Sequence, residues 1–186
     1  MAVQPTKKRY TVDEYHHMAE VGILKEDERF ELIDGEVVYM SPIGDRHAAC
    51  VRRLIALLTE HVGRNAIVDA QNPVQLSEYA EPQPDISLLK YRADYYAKQT
   101  PAPEDILLLI EVSDTSLVYD RDVKLPLYAR DGVPEVWVVD LTGDVVLVRR
   151  TPEEGAYTEA RTARRGDALA LPGIDGAAIK VEDILG

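Results

Sequence analysis

The 186-residue sequence predicts a single α/β domain in which helices flank a mixed β-sheet. Three observations favour this class. Residues 45–62 place apolar side chains at helical spacing and are followed by Gly63. The run "EDILLLIEVSD" is almost wholly apolar, as is typical of a central strand that is covered on both faces. No repeat, linker or low-complexity tract divides residues 1–186, and this length fits one domain.

The first elements follow from capping and turn signals. In "TVDEYHHMAEVG", Thr11 is followed three residues later by Glu14, a capping box that predicts a short helix ending near Gly22. "RFELIDGEVVYMS" alternates around "DG", the commonest signal of a tight hairpin. After the helix over 45–62, the segments "AIVDA", "NPVQL" and "DISLL" are predicted as strands.

The second half of the chain continues the α/β pattern. A helix is expected over residues 122–130, stopped by "DGVP", and Pro126 limits it because proline is tolerated only in a first turn. "EVWVVDL" and "DVVLVRR" predict an apolar hairpin around "TGD". The C-terminal sequence indicates a short strand, a loop and a final helical turn.

The charge balance argues against a nucleic-acid partner. With 21 Lys and Arg against 33 Asp and Glu, the net charge is -12, which should repel nucleic acid at long range. Basic residues that cluster on one surface would reverse this locally, and sequence alone does not say whether they meet. The candidate clusters are Lys7 to Arg9, Arg52 with Arg53, Arg149 with Arg150, and Arg164 with Arg165.

Cysteine use and hydropathy predict a cytoplasmic protein. Cys50 is the single cysteine, so no disulfide can form within the chain, and a small core residue in a reducing compartment is expected. No stretch approaches the length of a transmembrane helix, and "MAVQPTKKRY" lacks the apolar core of a signal peptide. No membrane partner is therefore expected.

Two acidic residues stand in unusual places. In "YAEPQPDISLL", Pro82 and Pro84 make the approach to Asp85 stiff, which determines where its carboxylate lies. Glu111 interrupts an otherwise apolar strand, where an ionised carboxylate is costly unless it is paired or coordinated. A divalent cation would satisfy both acids, and Mg²⁺ accepts one or two carboxylates while keeping waters for a phosphate substrate.

Lys124 and Glu31 complete the candidate set. Lys124, thirteen positions after Glu111, could reach back from the following helix and act on a nucleophile or a transition state. Glu31 could support the metal or a water. A purely structural alternative stays open, in which Glu111 and Lys124 form a buried ion pair and Asp85 caps a turn.

Three blocks of the sequence resemble a known family. "RFELIDGEVVYMSP" with His47 after it, "EPQPDISLL", and "LLIEVSDTSLVYDRDVKLPLYARDGVPEVWVVD" are similar, in order, to the Uma-type restriction endonuclease family of the PD-(D/E)XK nuclease superfamily. The resemblance covers about residues 10–141. It implies a restriction-endonuclease-like fold, a site dependent on Mg²⁺ or Mn²⁺, and a catalytic set of Glu31, Asp85, Glu111 and Lys124, with Asp85 and Glu111 as metal ligands.

One position departs from the superfamily pattern. The usual lysine two residues after the second acid is replaced by Ser113, and Lys124 in the next helix would take its role. The resulting hypothesis is a metal-dependent endonuclease that hydrolyses DNA, by analogy a homodimer. Two alternatives stay open: a degenerate nuclease fold that serves as a binding or assembly module, and a hydrolase of small phosphate esters. Two residues keep open alternatives: His47 is a helix-capping histidine or part of the active site, and Tyr128 orders Lys124 or packs against the sheet.

Overall fold

The computed structural model describes residues 7–25 and 27–186, and the rest of the predicted 1–186 domain, including most of the stretch read for a signal peptide, lies outside the described residues. In chain order the elements are α1 (Val12–Glu20), β1 (Phe30–Ile33), β2 (Glu36–Tyr39), α2 (Asp45–Val62), β3 (Ala66–Ala70), β4 (Ile86–Lys90), a 3₁₀ turn (Pro103–Asp105), β5 (Ile106–Ser113), α3 (Leu117–Tyr119), a π-turn (Asp120–Lys124), α4 (Leu125–Arg130), β6 (Glu135–Asp140), β7 (Val145–Glu153), β8 (Ala156–Ala163), β9 (Ala168–Ala170), β10 (Ala178–Lys180) and α5 (Val181–Leu185).

A six-stranded mixed sheet organises the molecule. Its order is β3-β4-β5-β6-β7-β8, and every neighbouring pair is antiparallel except β5 with β6, which are parallel. The helical segment from α3 to α4 makes the crossover between those two parallel strands, as a parallel pair requires. The predicted α/β class with a mixed sheet and flanking helices is confirmed.

Apolar side chains cover the two faces of the sheet separately. On one face, Leu108 and Ile110 of β5 share a core with α2 and α5, to which Leu54 and Ile184 contribute. On the other face, Leu109 packs with the residues of α4 in a second core. The alternation along β5 follows from the two-residue period of a strand. Cys50 belongs to the α2 core, as expected for a small buried residue.

The β1–β2 hairpin lies outside the main sheet. Asp34 and Gly35 form its turn with φ values of 51° and 80°, the left-handed conformation that a two-residue hairpin of this kind needs. A Cβ on Gly35 would lie 2.7 Å from Cβ of Arg9, so this position also demands glycine for space. The capping box of Thr11 and Glu14 at the start of α1 is present as predicted.

Three predicted elements differ from the structure. "NPVQL" is a loop, because Pro73 has no N–H to donate and the N–H groups of Val74 and Gln75 bond to the carbonyls of Pro82 and Pro101 rather than to a strand. The helix expected over 122–130 begins five residues earlier, at Leu117. The C-terminal region contains a β9–β10 pair where a loop was expected.

The π-turn explains how Pro126 fits into a longer helix. The N–H of Leu125 bonds to the carbonyl of Asp120, five residues back. Pro126 follows directly and needs no donor, since it stands in the first turn of α4. The chain therefore continues as helix from Leu117 to Arg130 instead of starting anew after the proline.

Candidate active site

The strand register brings the two predicted metal ligands together. Ile86 of β4 pairs with Ile110 of β5 in an antiparallel ladder. One step along that ladder, Asp85 lies opposite Glu111, because the two residue numbers of each antiparallel pair change in opposite directions. Both residues are buried, at 9% and 4% exposure, and both line one cavity of about 570 Å³.

Three groups hold the Asp85 carboxylate. The N–H of Val112 donates to Oδ2 over 2.9 Å, and Nε2 of His47 lies 2.8 Å from the same oxygen. Nε2 of Gln71 donates to Oδ1 over 3.4 Å. His47 stands in the first turn of α2. Pro82 and Pro84 restrict the backbone before Asp85, and contacts from β5 and α2 fix the position of its carboxylate.

Lys124 links the two glutamates. Its ammonium donates to Oε1 of Glu31 over 2.9 Å and to Oε1 of Glu111 over 3.1 Å. The side chain of Lys124 is only 2% exposed. The hydroxyl of Tyr128, one helical turn further along, donates a short hydrogen bond to the same Glu111 oxygen. Tyr128 therefore orders the carboxylate that Lys124 contacts.

Glu31 lies behind Lys124 rather than at the cavity wall. It is fully buried in β1, and its Oε1 also accepts a hydrogen bond of 2.8 Å from the N–H of Gln83. Its Oε2 is buried without a hydrogen-bond partner among the described residues. The cavity lining includes Asp85, Glu111 and Lys124 but not Glu31. Glu31 is placed to orient Lys124.

Ser113, which stands where the superfamily has lysine, has a partner of its own. Its hydroxyl donates to Oδ2 of Asp120 over 2.7 Å, and the hydroxyl of Ser116 donates to the same oxygen over 2.6 Å. Asp120 begins the π-turn that contains Lys124. The serine therefore ties β5 to the helical segment that carries Lys124.

The cluster contains more acid than base. Burial raises the pKa of Glu111 to about 8; the Lys124 ammonium opposes this rise, and the charges of Asp120, Asp85 and Glu31 add to it. Burial by itself would lower the pKa of Lys124, but the charges of Glu111 and Glu31 raise it above its ordinary value. Lys124 therefore stays charged, while Glu111 keeps its proton up to about pH 8 unless a further cation favours its ionised form.

The donor set fits a magnesium-like ion. Mg²⁺ is commonly held by one or two carboxylates together with waters and substrate phosphate. Both hydrogen bonds to Glu111 end on Oε1, and within the described part of the chain none reaches Oε2. Within residues 7–25 and 27–186 no group of three or more His, Cys, Asp or Glu side chains is arranged to hold a metal by itself. Asp85 and Glu111 would supply two carboxylates to such an ion, and other ligands would have to complete its coordination.

The four basic clusters do not form a shared surface of free cations at the cavity. Lys7 pairs with Glu36, Arg150 with Glu135, and Arg165 with Asp144. Arg53 donates to backbone carbonyls at the end of α5. None of these clusters lines the cavity. A member of each cluster is therefore held by local partners.

Sequence reasoning missed three polar residues at this site. Asp120 gave no signal, because an isolated acid in a helical segment is common in any soluble chain. Gln83 supports Glu31 through its backbone and has no sequence signal. Arg29 lines the cavity and was not considered.

A comparison with family models identifies the chain's relatives. Residues 12–182 match the model of the Uma2 family, described as "Putative restriction endonuclease". The chain belongs to the Uma2 family. The match extends the resemblance seen over residues 10–141 almost to the C-terminus. No curated protein matches the chain.

A solved structure shares the fold of this Uma2-family chain. It is the crystal structure of a protein from Anabaena variabilis ATCC 29413 described as "a putative nuclease belonging to DUF820". The two chains align with a TM-score of 0.71 over 94% of this chain and 97% of the other, at 15% sequence identity. At this identity the likeness establishes a common fold.

No helix within the described residues is both long and apolar enough to cross a membrane.

Proposed function

We propose that this Uma2-family protein is a Mg²⁺- or Mn²⁺-dependent endonuclease that hydrolyses phosphodiester bonds of DNA in the cytoplasm. The observation that supports this most directly is the meeting of Asp85, Glu111 and Lys124 in one cavity, from three different elements. Two carboxylates beside an ammonium group form a sufficient apparatus for phosphodiester hydrolysis when a divalent cation is added.

The residues of the chain then have separate tasks. Asp85 and Glu111 would hold the cation, which when bound would supply Lewis-acid polarisation of the phosphate and activation of water. Lys124 stabilises the charge that develops on the phosphate oxygens or orients the attacking water. Glu31 and Tyr128 act as positioning residues, because the first contacts Lys124 and the second contacts Glu111.

The structural alternative explains part of the same geometry. A buried Glu111–Lys124 pair is present, yet an ion pair alone needs neither a second acid opposite Glu111 nor a cavity beside it. Replacing such a pair by apolar residues is often neutral or stabilising, so stability alone does not explain why Asp85 and Asp120 lie close enough to act on Glu111 as well. These features favour a site for a cation and a phosphate.

Cleavage of supercoiled plasmid and of single-stranded circular DNA by the purified protein tests the proposal. With Mg²⁺ or Mn²⁺ we expect nicking that EDTA abolishes, and a loss of about 100-fold or more in Asp85→Asn, Glu111→Gln and Lys124→Met. Asp144→Asn, which removes an exposed acid paired with Arg165, is the matched control and should cleave like the wild type.

Two other results would replace the proposal. Metal-dependent hydrolysis of a small phosphodiester without DNA cleavage would favour the phosphate-ester hydrolase. Binding of Mg²⁺ without hydrolysis of any of these substrates would favour a degenerate nuclease fold used for binding or assembly.

We also propose that the active species is a homodimer, since two sites are needed to cut both strands in one encounter. Light scattering of the purified protein should give twice the mass of one chain. A monomer that still cleaves both plasmid strands would contradict this part of the proposal.

A further inference from the structure

We infer that Asp120 is the general base of the proposed reaction, and that its Oδ1 accepts a proton from the water that attacks the phosphorus. The inference rests on the proposed nuclease function and adds a catalytic residue to the same site. Three observations support it: the place of Asp120 in the cavity, the contacts that fix its carboxylate, and the engagement of the other charged groups of the cavity in other contacts.

Asp120 belongs to the cavity that contains the other proposed groups. It lines the same space of about 570 Å³ as Asp85, Glu111 and Lys124, and it is only 4% exposed. Burial is the main cause of the raised pKa of Glu111, and among the neighbouring acids Asp120 adds the most to it. Because a charge acts most strongly on its nearest neighbours, this order indicates that the Asp120 carboxylate lies close to Glu111.

Two serine hydroxyls fix one oxygen of Asp120 and leave the other without a partner. Oγ of Ser113 donates to Oδ2 over 2.7 Å, and Oγ of Ser116 donates to the same atom over 2.6 Å. No hydrogen bond from the described residues reaches Oδ1, and protein atoms do not seal this oxygen off as they seal Oε2 of Glu31. Since Asp120 lines the cavity, Oδ1 is the oxygen that a molecule inside the cavity can reach.

The strand geometry leaves room for one water molecule between Asp120 and Glu111. Glu111 and Ser113 point to the same face of β5 and are two residues apart, which is about 7 Å along a strand. Asp120 is hydrogen-bonded to Ser113, so its carboxylate lies beside that end of the interval. Two hydrogen bonds through one water span roughly 5.5 Å, so a single water can contact both carboxylates.

The basic side chains of the cavity are less suited to take the proton. Burial by itself would lower the pKa of Lys124, but the charges of Glu111 and Glu31 raise it above its ordinary value. A lysine that stays protonated has no lone pair with which to accept a proton. Nε2 of His47 lies 2.8 Å from Asp85, and its Nδ1 is buried away from the cavity space without a partner among the described residues.

The other acids of the cavity have tasks or partners of their own. Asp85 and Glu111 are the proposed metal ligands, and Asp114 forms an ion pair with Arg46 at 3.0 Å. Asp120 has neither a metal to bind nor a cation to pair with in this arrangement. Its two hydroxyl donors stabilise the negative charge of the carboxylate and hold it in one orientation. It is therefore a fixed acceptor beside the space for the water.

Proton transfer to Asp120 completes a balanced hydrolysis. The water oxygen forms a bond to phosphorus while one of its O–H bonds breaks and that proton passes to Oδ1. The bond between phosphorus and the leaving sugar oxygen breaks, and its electron pair stays on the sugar oxygen, which takes up a proton from solvent. Asp120 then releases its proton to solvent. One phosphodiester and one water give one phosphomonoester and one hydroxyl group.

Single-turnover nicking of supercoiled plasmid with saturating Mg²⁺ tests the inference. Asp120→Asn keeps the shape of the side chain and an acceptor for the serine hydroxyls but cannot take the proton, so it should cleave about 100-fold or more slowly with unchanged DNA affinity. Its rate should rise about tenfold per pH unit as hydroxide replaces the missing base, more steeply than that of the wild type. Added formate should accelerate Asp120→Ala about tenfold or more, because it supplies a carboxylate in the vacated space.

Asp122 of the same π-turn is the matched control. Its side chain is 51% exposed, pairs with Arg121 at 2.6 Å and does not line the cavity. Asp122→Asn and Asp122→Ala should cleave like the wild type and should not respond to formate. Calorimetric titration adds a measurement without catalysis. Asp120→Asn should bind Mn²⁺ as the wild type does, whereas Glu111→Gln should bind it less tightly.

The results separate this inference from the proposed function. If the wild type cleaves DNA and Asp120→Asn cleaves as fast, or is slow without the steeper pH dependence and without formate rescue of Asp120→Ala, the inference is wrong and the nuclease proposal stands. A loss of Mn²⁺ affinity in Asp120→Asn would make Asp120 a metal ligand instead of a base. If the wild type cleaves no DNA with either metal, the nuclease proposal falls and the inference falls with it.

Discussion

The two faces of strand β5 are held by different forces. Leu108 and Ile110 point to the face covered by α2 and α5, where they belong to a large cluster of buried apolar side chains. Leu109, Glu111 and Ser113 point to the face covered by the helical segment from α3 to α4. There the apolar contacts give way, toward the end of the strand, to carboxylates, hydroxyls and one ammonium group.

The two faces of β5 differ in how strictly they require particular distances and angles between side chains. Apolar contacts do not depend on the orientation of the groups that make them. The α2 face should therefore tolerate apolar substitutions that keep about the same side-chain volume. The opposite face depends on directed hydrogen bonds, and each buried charge there is costly if one partner leaves. The first face stabilises the fold, and the second positions the groups proposed for chemistry.

The largest expected effect is the loss of the buried Lys124 ammonium group. Lys124→Met leaves Glu31 and Glu111 buried without their cation, which should lower the free energy of unfolding by about 3–5 kcal/mol. Urea unfolding measures this loss. Adding Glu31→Gln and Glu111→Gln to the same chain should restore most of the stability. A Lys124→Met protein as stable as the wild type would show that charge does not hold this face.

A slightly smaller effect is expected on the apolar face. Leu108→Ala removes a fully buried side chain and should cost about 2–5 kcal/mol, depending on how far the cavity collapses. Because Leu108 points away from Glu111, the Mg²⁺ affinity of the folded variant should equal that of the wild type. Calorimetric titration checks this, and a weaker affinity would mean that the two faces are coupled.

The polar face should also respond to pH. The pKa of Glu111 is about 8 in the folded chain against an ordinary value of 4.5, so the folded state keeps a proton that the unfolded state has lost between these values. The stabilisation is full below pH 4.5 and disappears as the pH rises through about 8. The contribution of this group to the free energy of unfolding should therefore decline over that interval.

A matched variant isolates this contribution. Glu111→Gln cannot ionise, so subtracting its unfolding profile from that of the wild type should leave a difference that falls with rising pH. Mg²⁺ should reduce the fall, because a cation favours the ionised carboxylate. Parallel profiles of the two proteins without metal would refute the expectation.

The smallest of these effects is a change in metal affinity when the His47 contact to the Asp85 carboxylate is removed. His47→Ala removes one of the groups that orient this carboxylate and should lower the Mn²⁺ or Mg²⁺ affinity about 10- to 100-fold, with little change in fold. Calorimetric titration measures the affinity. His61→Ala, at the other end of α2, is the control and should bind the metal normally. Equal affinities of the two variants would remove His47 from the site.

Much of the fold could be predicted from local patterns. The capping box at Thr11, the "DG" hairpin and the helix over 45–62 depend on neighbouring residues, and each is present with the expected bounds. The start of the helical segment that contains Pro126 could not be predicted. Its π-turn pairs a backbone N–H with a carbonyl five residues back, and helix propensities do not describe this hydrogen bond. "NPVQL" has strand-like composition, but its hydrogen-bond partners are distant loop carbonyls.

The main residues of the candidate site could be picked out from the sequence, but the hydrogen bonds between them could not. Asp85 could be selected because two prolines precede it, and Glu111 because it interrupts an apolar strand. That Lys124 contacts both Glu111 and Glu31 depends on the length of the β5–α3 connection and on the path of the π-turn. Arg29 and Asp120 gave no signal, since isolated charged residues are common in any soluble chain.

The sequence by itself determined the α/β class and the order of most elements, because these depend on short-range periodicity, and side-chain chemistry singled out the residues that we propose for a metal and a phosphate. Only the tertiary structure decided which oxygen of Glu111 faces Lys124, that Glu31 stands behind the lysine, and that Asp120 shares the cavity with Asp85 and Glu111. Directed contacts between residues 93 or 13 positions apart, such as those of Lys124, arise from strand register and helix path, which local sequence does not specify.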